Sequence, residues 1–378
     1  MDKRRSICFV GMDNYPVLNR EYGDQYFGGE SVQQTLLACA FRDFGLDVSM
    51  VVRDYGQPDG ETVRGIRVWK TCREGAGLPV VRFVHPKATS TVVALRRARS
   101  DIYFQSCSGS LTGIVSAFCR FNKRAFVFRV ASDADCVPGL PLIQYARDRA
   151  LYRWGLRHAD LVSAQSVHQA ELLERSFGRQ CKVIDMVVEI PDLSGQRRRD
   201  IDVLWVNNLR PLKRPHHVIQ LARVLPQYRF VIVGGAVPGN EEFFHRLELE
   251  AAEVPNIELV GAVPFHLVTN YFLRARVFIN TSEIEGFPNS ILQAWAAGLP
   301  VISYFDPAGL NKSRQLGEVP NDLADMTASV KRYLEQAGLR EETGERARRF
   351  VSGHYSPDIV AKCYLESLAE GSGRFQVT

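Results

Sequence analysis

The chain has 378 residues, of which 46% are hydrophobic and 24% are charged. This length exceeds one typical hydrophobic core and suits two α/β domains, each large enough to bury most of its apolar surface. No stretch reaches the roughly 18 consecutive apolar residues of a membrane span, and the apolar run 7–12 is too short for a signal peptide. The eight cysteines show no C-x-x-C pair and no histidine at ligand spacing. Their pattern argues against a zinc site or a disulfide framework and favours a reducing cytoplasm.

The net charge of +5 is distributed unevenly along the chain. Residues 1–200 contain 29 Lys and Arg against 22 Asp and Glu, whereas the remainder contains 18 against 20. A basic face can bind anionic lipid headgroups or nucleic acid, but basic clusters are also common at solvated helix ends. We expect no nucleic-acid partner. Two clusters are candidates either for a peripheral contact with an anionic membrane or for ordinary solvated charge: Arg96, Arg97 and Arg99, and Arg120, Lys123 and Arg124.

Strands and helices alternate through the first half of the sequence. Runs of β-branched and aromatic residues predict the strands, and apolar residues at helical spacing predict the helices. Such alternation is typical of a parallel, doubly wound sheet. The predicted strands are 7–11, 46–52, 102–105, 125–131 and 161–165, and the predicted helices are 32–44, 89–99, 111–121, 142–157 and 167–177.

The second half continues this alternation after the polar stretch 193–200, which is typical of a linker between domains. Its last helix is predicted to begin with Ser356 as the cap and Pro357 in the first turn. The other predicted elements are strands 202–207 and 228–235, the sheet-forming runs 256–260, 265–274 and 276–304, and helices that end at 225 or span 323–335 and 341–350.

The stretch 276–304 carries the strongest functional signal. A strand, a loop, a helix and a second strand follow one another there, which together form a βαβ unit. Pro288 suits the first helical position, so the positive end of that helix is predicted to bind an anion such as a diphosphate. Gly286 allows a ligand to approach the backbone, and Glu285 could accept hydrogen bonds from hydroxyl groups but would repel a bare phosphate. A phosphate beside a hydroxyl-rich group describes a nucleotide sugar.

The residues from Glu285 to Val301 resemble the signature of the large retaining glycosyltransferase family 4, in which E-G-F-G or E-G-F-P leads to E-A-x-A-x-G-x-P-V. Here the sequence reads E-G-F-P-N-S and then, from Gln293, Q-A-W-A-A-G-L-P-V. The resemblance implies the GT-B fold, two Rossmann-like domains facing across a cleft, with the donor on the second domain and the acceptor on the first. It also implies that Glu285 contacts the sugar hydroxyls and that Gln293, where the family has glutamate, contacts the nucleotide ribose.

Two further segments are similar to motifs of the same family. The segment N-N-L-R-P-L-K resembles G-R-L-x-x-x-K, which makes Lys213 the cation that neutralises the leaving diphosphate. Asn208 stands in the place of the family's arginine. Arg210, two residues on, lies on the same side if the strand continues and could reach the same phosphate. Gly28 and Gly29 resemble the family's glycine pair, whose amides approach the donor diphosphate or the acceptor.

Asp133 and Asp135 follow the predicted strand 125–131, at the edge where ligands of doubly wound sheets bind. In the resembled family a histidine is common in this loop, and none of the chain's histidines occupies it. Either aspartate could orient an acceptor hydroxyl or cap the following turn. The pair also spells D-x-D, by which a different glycosyltransferase architecture holds a divalent metal. That architecture has a single sheet, so the second half of this chain argues against it.

These features predict a glycosyltransferase that needs neither cofactor nor metal. It would move a sugar from a nucleotide-diphosphate donor to a glycan or lipid-linked acceptor, with retention, in surface polysaccharide or glycoconjugate synthesis at the cytoplasmic face of a membrane. A sugar-nucleotide epimerase or hydrolase and a non-catalytic sugar-nucleotide-binding protein are alternatives. The predicted domains are 1–192, joined by the last helix 356–370, and 200–355. The predicted catalytic residues are Glu285, Lys213, Arg210, Asp133 and Asp135, and the predicted donor-binding residues are Gly28, Gly29, Asn208, Gly234, Gly286, Phe287, Pro288, Asn289, Ser290 and Gln293.

Overall fold

A computed structural model describes residues 5–25, 27–195, 198–237, 239–283 and 286–371. These residues divide into two compact units. The first contains 5–22, 27–187 and 357–371, and the second contains 23–25 and 188–356. The chain therefore passes from one unit to the other after Val187 and returns at Pro357.

Within the described residues, the first unit is built on one sheet of eight strands. The strands are β1 (Ser6–Val10), β2 (Asp47–Val52), β3 (Thr62–Val63), β4 (Ile66–Lys70), β5 (Ile102–Ser106), β6 (Ala125–Arg129), β7 (Leu161–Ala164) and β8 (Lys182–Val183). Their order is β3-β4-β2-β1-β5-β6-β7-β8, and every neighbouring pair is parallel except the hairpin β3–β4. The central strands β5 and β6 are buried along their whole length, as expected for a parallel sheet covered on both faces.

Helices follow most strands of the first unit. They are α1 (Tyr15–Leu18), α2 (Gly29–Asp43), α3 (Thr89–Ala98), α4 (Ser110–Asn122), α5 (Ala146–His158) and α6 (Val167–Phe177), with an irregular helical stretch at Phe83–Ala88. The Ser166 side chain accepts a hydrogen bond from the Gln169 amide at 3.2 Å and caps α6 as predicted. The predicted helix 142–157 begins only at Ala146, because Tyr145 keeps an extended backbone (φ −95°, ψ 137°).

The second unit contains a six-stranded parallel sheet in the part of the chain that the structure describes. Its strands are β9 (Ile201–Val206), β10 (Phe230–Val233), β11 (Ile257–Gly261), β12 (Ala275–Asn280), β13 (Val301–Ser303) and β14 (Gly317–Glu318). Their order is β11-β10-β9-β12-β13-β14. The helices are α7 (Pro215–Val224), α8 (Glu241–Ala252), α9 (Phe265–Arg274), α10 (Asn289–Ala296), α11 (Leu310–Ser313), α12 (Leu323–Glu335) and α13 (Ala337–His354).

One predicted element of the second unit is wrong. The run 265–274 was expected in the sheet, but it forms the helix α9. Its buried residues Val268 and Phe272 are four positions apart, which is the spacing of one helix face rather than of a strand. Aromatic and β-branched residues favour strands in isolation, and burial of this face against the sheet overrides that preference.

The last helix, α14 (Pro357–Gly371), packs on the first unit. Its Tyr364 is buried, with its hydroxyl oxygen 2.9 Å from the Ser163 hydroxyl oxygen. The Tyr364 ring lies edge-on to Phe104, with centroids 5.5 Å apart. The helix therefore covers part of the first sheet.

The predicted fold class, α/β with two doubly wound parallel sheets, is confirmed. In the second sheet, β9 pairs with β10 on one side and with β12 on the other. The chain therefore adds strands first on one side of β9 and later on the other. Such a switch point, beyond the carboxyl ends of the strands, is where doubly wound sheets bind ligands. Among the helices in the described ranges, none is long and apolar enough to cross a membrane.

Candidate active site

The switch point of the second sheet brings together two loops that the sequence singled out. The loop 207–214 leaves β9 and carries Asn208, Arg210 and Lys213. The loop that leaves β12 leads through Gly286 to the start of α10. Glu285, the predicted sugar-binding residue, lies outside the described residues. The predicted cations therefore follow β9, and the predicted anion-binding helix follows β12. These two strands are neighbours in one sheet.

Thr281 fastens these two loops to each other. Its hydroxyl accepts a hydrogen bond from the Trp205 indole N–H at 3.0 Å and donates one to the Lys213 carbonyl at 2.7 Å. The Glu283 amide donates to the Leu212 carbonyl at 3.0 Å. Thr281 is fully buried, so these contacts are shielded from water. The turn Pro211–Lys213 is thus held against the end of β12.

The turn itself is fixed at both ends. Arg214 adopts a left-handed backbone (φ 48°, ψ 48°) directly before Pro215, the first residue of α7. The Arg214 guanidinium pairs with Glu283 at 2.9 Å. At the other end, the Leu209 amide donates to the Gly235 carbonyl at 3.1 Å. The backbone around Lys213 therefore has one defined course, with Lys213 half-buried.

Gly234, predicted to bind the donor, has a structural reason to be glycine. A Cβ atom built there would lie 1.8 Å from the Asn207 carbonyl oxygen, and its φ is 155°. No other residue fits so close to the end of β9. This close approach lets the segments that leave β9 and β10 run side by side, and the donor contact of Gly234 stays a prediction.

The helix α10 begins one residue later than predicted. Pro288 has an extended backbone (φ −69°, ψ 127°) and precedes the helix, whose first residue is Asn289. The positive end of the helix dipole lies at Asn289 and Ser290. Phe287 packs against Trp295 and Tyr355, with ring centroids 6.4 and 5.8 Å apart, which directs its side chain into the protein. Gln293 lies one turn further along and is half-buried.

Two histidines, His216 and His217, lie at the start of α7, next to the turn Pro211–Lys213. The His217 Nδ1 atom lies 3.1 Å from the Tyr304 hydroxyl oxygen, and the His216 ring contacts the His217 ring with centroids 4.7 Å apart. Burial lowers the pKa of both histidines, and the nearby Arg214 charge lowers it further. Both rings are therefore neutral near pH 7, and the positive charge of this region comes from lysine and arginine.

In the first unit, the predicted glycine loop is shorter than expected. Gly28 precedes α2, and Gly29 and Glu30 already form its first turn. The Glu30 carboxylate pairs with Arg129, at the end of β6, at 3.5 Å, and the two side chains are 15% and 3% exposed. Burial raises the pKa of Glu30, and the Arg129 charge partly offsets this effect. A buried ion pair thus joins the start of α2 to the carboxyl edge of the sheet.

The two predicted aspartates have different surroundings. Asp135 is buried and accepts hydrogen bonds from the Ser108 hydroxyl at 2.7 Å and from the amides of Ala131 and Ser132 at 2.8 and 3.2 Å. Its burial raises its pKa. Both of its oxygens are therefore engaged in shaping the loop 131–136. Within the described ranges, no group of three or more His, Cys, Asp or Glu side chains is arranged to hold a metal ion.

Asp133 is about half exposed, and its side chain has two neighbours from α6. One carboxylate oxygen accepts a hydrogen bond from the Gln169 amide group at 3.0 Å. The other lies 3.9 Å from His168 Nε2. No sequence motif indicated His168, because it is 35 positions away in the chain and only the pairing of β6 with β7 brings it close.

Two family models match the chain, one in each unit. The family described as "Glycosyl transferases group 1" matches residues 189–350. The family described as "Glycosyl transferase 4-like domain" matches residues 28–187. The first match includes both loops at the switch point, and the second includes Gly28 and the loop 131–136.

Two curated proteins are similar to the chain over part of their length. Exopolysaccharide phosphotransferase SCO2592 of Streptomyces coelicolor is 26% identical over 358 residues, which cover 86% of this chain and 36% of that protein. One subunit of the phosphatidylinositol N-acetylglucosaminyltransferase of Arabidopsis thaliana is 31% identical over 106 residues, which cover 28% of this chain and 21% of that protein. The chain thus spans well under half the length of these curated relatives.

Solved structures resemble the chain over nearly its whole length. Sucrose-phosphate synthase from Thermosynechococcus elongatus has a TM-score of 0.73 at 18% identity, covering 97% of this chain and 100% of that one. HepE from Anabaena, in complex with UDP and glucose, has a TM-score of 0.72 at 16% identity, with the same coverage. The catalytic domain of starch synthase IV from Arabidopsis thaliana, bound to ADP and acarbose, has a TM-score of 0.69 at 14% identity, covering 98% and 99%. At these identities the likeness shows a common fold.

Proposed function

The chain belongs to the family 4 glycosyltransferases of the GT-B fold, and we propose that it transfers a sugar from a nucleotide-diphosphate donor to a hydroxyl group of a glycan or lipid-linked acceptor. One observation carries the proposal. The Thr281 hydroxyl fastens the turn Pro211–Lys213 to the end of β12, at the switch point of the second sheet. Cations and a helix N-terminus from adjacent strands form a site suited to a diphosphate.

In the proposed reaction, the bond between the sugar and the diphosphate breaks, and the departing phosphate oxygen gains negative charge. The acceptor hydroxyl oxygen forms the new bond to the anomeric carbon, and its proton leaves with the nucleoside diphosphate. Lys213 and Arg210 neutralise this charge, and the N-terminus of α10 at Asn289 adds the field of its dipole. Glu285 holds the transferred sugar through its hydroxyl groups, and Gln293 binds the ribose. The residues that act on the leaving group are cationic, so we propose transfer without a metal. The resemblance to the retaining family is the basis on which we propose retention at the anomeric carbon.

The proposed acceptor side lies in the first unit, at the loop 131–136. Asp133 keeps a half-exposed carboxylate next to His168. This pair offers an acceptor and a donor of hydrogen bonds for a sugar hydroxyl. Asp135 supports the pair indirectly, because its carboxylate binds the backbone amides that begin the loop.

The names of the relatives support the substrate class. HepE was solved with UDP and glucose, and starch synthase IV with ADP. One curated relative is named for an exopolysaccharide, and the name of the other combines phosphatidylinositol with an N-acetylglucosaminyltransferase. Together these names support a nucleotide-sugar donor and an acceptor in surface polysaccharide or glycoconjugate synthesis. We propose that this synthesis takes place on the cytoplasmic side of a membrane.

A thermal-shift screen of nucleoside diphosphates and nucleotide sugars tests the proposal. A ligand at 100 times its dissociation constant stabilises the folded protein by about 2.7 kcal/mol, which gives a clear shift. The stabilising donor is then incubated with the protein and candidate acceptors, and the products are identified by mass spectrometry. Transfer of the sugar to an acceptor is the expected result. Release of free sugar with no acceptor product would favour a hydrolase, and stabilisation without any turnover would favour a non-catalytic binding protein.

A further inference from the structure

The first unit exposes an apolar segment that its own core does not use. Within residues 78–84, Leu78 is 73% exposed, Val80 94%, Val81 49% and Val84 62%. Single exposed aliphatic side chains are common on protein surfaces. Four of them lie within seven residues here, and such a concentration of exposed apolar side chains is typical of an interaction site.

A second segment extends this surface. Leu142 is 72% exposed and Tyr145 is 55% exposed. The Arg147 guanidinium lies over the Phe83 ring at 3.5 Å and within 5.7 Å of the Tyr145 ring, so it brings the two segments together. We call the six exposed side chains the apolar patch: Leu78, Val80, Val81, Val84, Leu142 and Tyr145.

The charges in residues 73–87, which carry the first segment of the apolar patch, are mainly positive, and beside the second segment Arg147 pairs with Asp148 at 2.7 Å. Arg82 and Lys87 are exposed and have no ion pair among the residues that the structure describes. Arg73 is 73% exposed and lies 3.6 Å from Asp54. The only carboxylate within residues 73–87 belongs to Glu74, and it is already paired with Arg53. The surface therefore combines apolar side chains with cations that are available to a negatively charged partner.

The basic clusters that the sequence suggested are partly paired. Arg97 pairs with Asp59, and Arg124 pairs with Asp101 at 2.9 Å. These ion pairs neutralise part of the positive charge within the domain. Arg82 and Lys87, which have no ion pair in the described ranges, lie in or next to the segment 78–84 with its four exposed aliphatic side chains.

We propose that the apolar patch docks on an anionic lipid surface, with Val80 and Val84 entering the headgroup region and Arg82 and Lys87 contacting lipid phosphates. Apolar insertion and attraction to anionic headgroups act together in interfacial binding. The inference rests on the proposed function, because it brings the enzyme to the surface that carries a lipid-linked acceptor. Neutral glycans and acidic proteins fit this combination less well, since neither offers an apolar phase beside phosphate groups.

Vesicle co-sedimentation of the full chain tests the inference. The vesicles contain phosphatidylcholine alone or phosphatidylcholine and phosphatidylglycerol in equal parts. The protein should sediment with the anionic vesicles, remain in solution with the neutral ones, and be released by high salt. The double variant Val80→Ser, Val84→Ser should lower the partition coefficient roughly tenfold or more, because two aliphatic side chains no longer leave water.

Two matched variants serve as controls. Val167→Ser, on α6 of the same unit, removes a valine that is 63% exposed and should leave binding unchanged. Arg82→Gln with Lys87→Gln should weaken binding to anionic vesicles, whereas Arg120→Gln with Lys123→Gln should not. Equal binding by the patch variants and their controls would overturn the proposal, as would a wild-type protein that stays in solution with anionic vesicles.

Two further readouts distinguish lipid docking from self-association and from donor binding. Size-exclusion chromatography detects a second copy on the apolar patch. The proposal would be overturned if the wild type forms a dimer and does not bind vesicles, and if the double variant Val80→Ser, Val84→Ser is a monomer. That outcome would assign the apolar patch to self-association. Calorimetry with UDP, carried out without vesicles, tests donor binding separately. Vesicle binding by a protein that binds no nucleotide would refute the proposed function and leave the docking surface standing.

Discussion

The hydroxyl of Thr281 holds the proposed cationic turn in place, so its removal gives a sharp prediction. Thr281→Val keeps the shape of the side chain and deletes only the hydroxyl. The Trp205 indole N–H then loses its acceptor at 3.0 Å, and the Lys213 carbonyl loses its donor at 2.7 Å. Trp205 and Thr281 are both buried, so water cannot easily replace these partners.

The expected loss of stability follows from these two contacts. A hydrogen bond within a protein contributes about 0.5–1.5 kcal/mol net, and a buried group left without a partner costs about 1–3 kcal/mol. The indole N–H is fully buried, whereas the Lys213 carbonyl belongs to a half-buried residue. We therefore expect a loss of about 2–4 kcal/mol in the free energy of unfolding. The turn should also become less ordered, which lowers turnover by displacing Lys213.

Urea unfolding and steady-state kinetics measure the two effects. Thr327→Val in α12 is the matched control, because Thr327 also donates to a carbonyl, that of Leu323, at 2.7 Å. That bond lies within one helix and adds little, so the control should change stability by less than about 0.5 kcal/mol. If Thr281→Val unfolds like the control and keeps normal turnover, then the contact does not hold the turn and the reasoning is wrong.

Three other predictions concern the chemistry of the site. Lys213→Ala and Arg210→Ala should each raise the activation free energy by roughly 2–4 kcal/mol, which is the scale of one lost electrostatic donor. EDTA should leave activity unchanged. Activity that is lost in EDTA and restored by manganese would contradict a site without a metal. Glu285→Gln should lower turnover far more than it weakens calorimetric binding of a nucleoside diphosphate, because only the sugar loses a partner; equal losses would remove Glu285 from the sugar site. Burial lowers the pKa of His216 and His217, so the unfolded chain binds more protons in mild acid, and stability should fall as the pH drops below the ordinary value of 6.5. His217→Gln should make this fall shallower in urea unfolding, and an unchanged slope would count against the assignment.

Local signals in the sequence predicted much of the fold. The helix α12 was predicted with its observed bounds, 323–335. In the structure the Asp322 side chain caps it, so its start is fixed by a neighbouring residue. The helix α6 has the predicted serine cap and ends before Gly178, which has a positive φ. Such elements depend on neighbouring residues, and those can be read from one sequence.

Elements that depend on distant partners were not predicted. The strand β4, with the sequence I-R-V-W-K, was missed because it is short and is stabilised by pairing with β2. The helix α8 was also missed, although its Leu247 and Ala251 are buried. In the candidate site, the motifs predicted Lys213 and Glu285 as residues of interest, yet gave no sign of Thr281 or Trp205. These two residues are 76 positions apart, and only the pairing of β9 with β12 brings them together.

The measurement that tests the central claim most directly is calorimetric titration of nucleoside diphosphates into the wild-type protein and Lys213→Ala. Arg340→Ala, a second cationic side chain of the same unit that bonds the Tyr333 and Leu334 carbonyls, is the control. We predict saturable binding of one nucleoside diphosphate per chain, clearly weakened in Lys213→Ala and kept in Arg340→Ala. A wild-type protein that binds none of these nucleotides, or a Lys213→Ala variant that binds them as tightly as wild type, would contradict a diphosphate site at this turn.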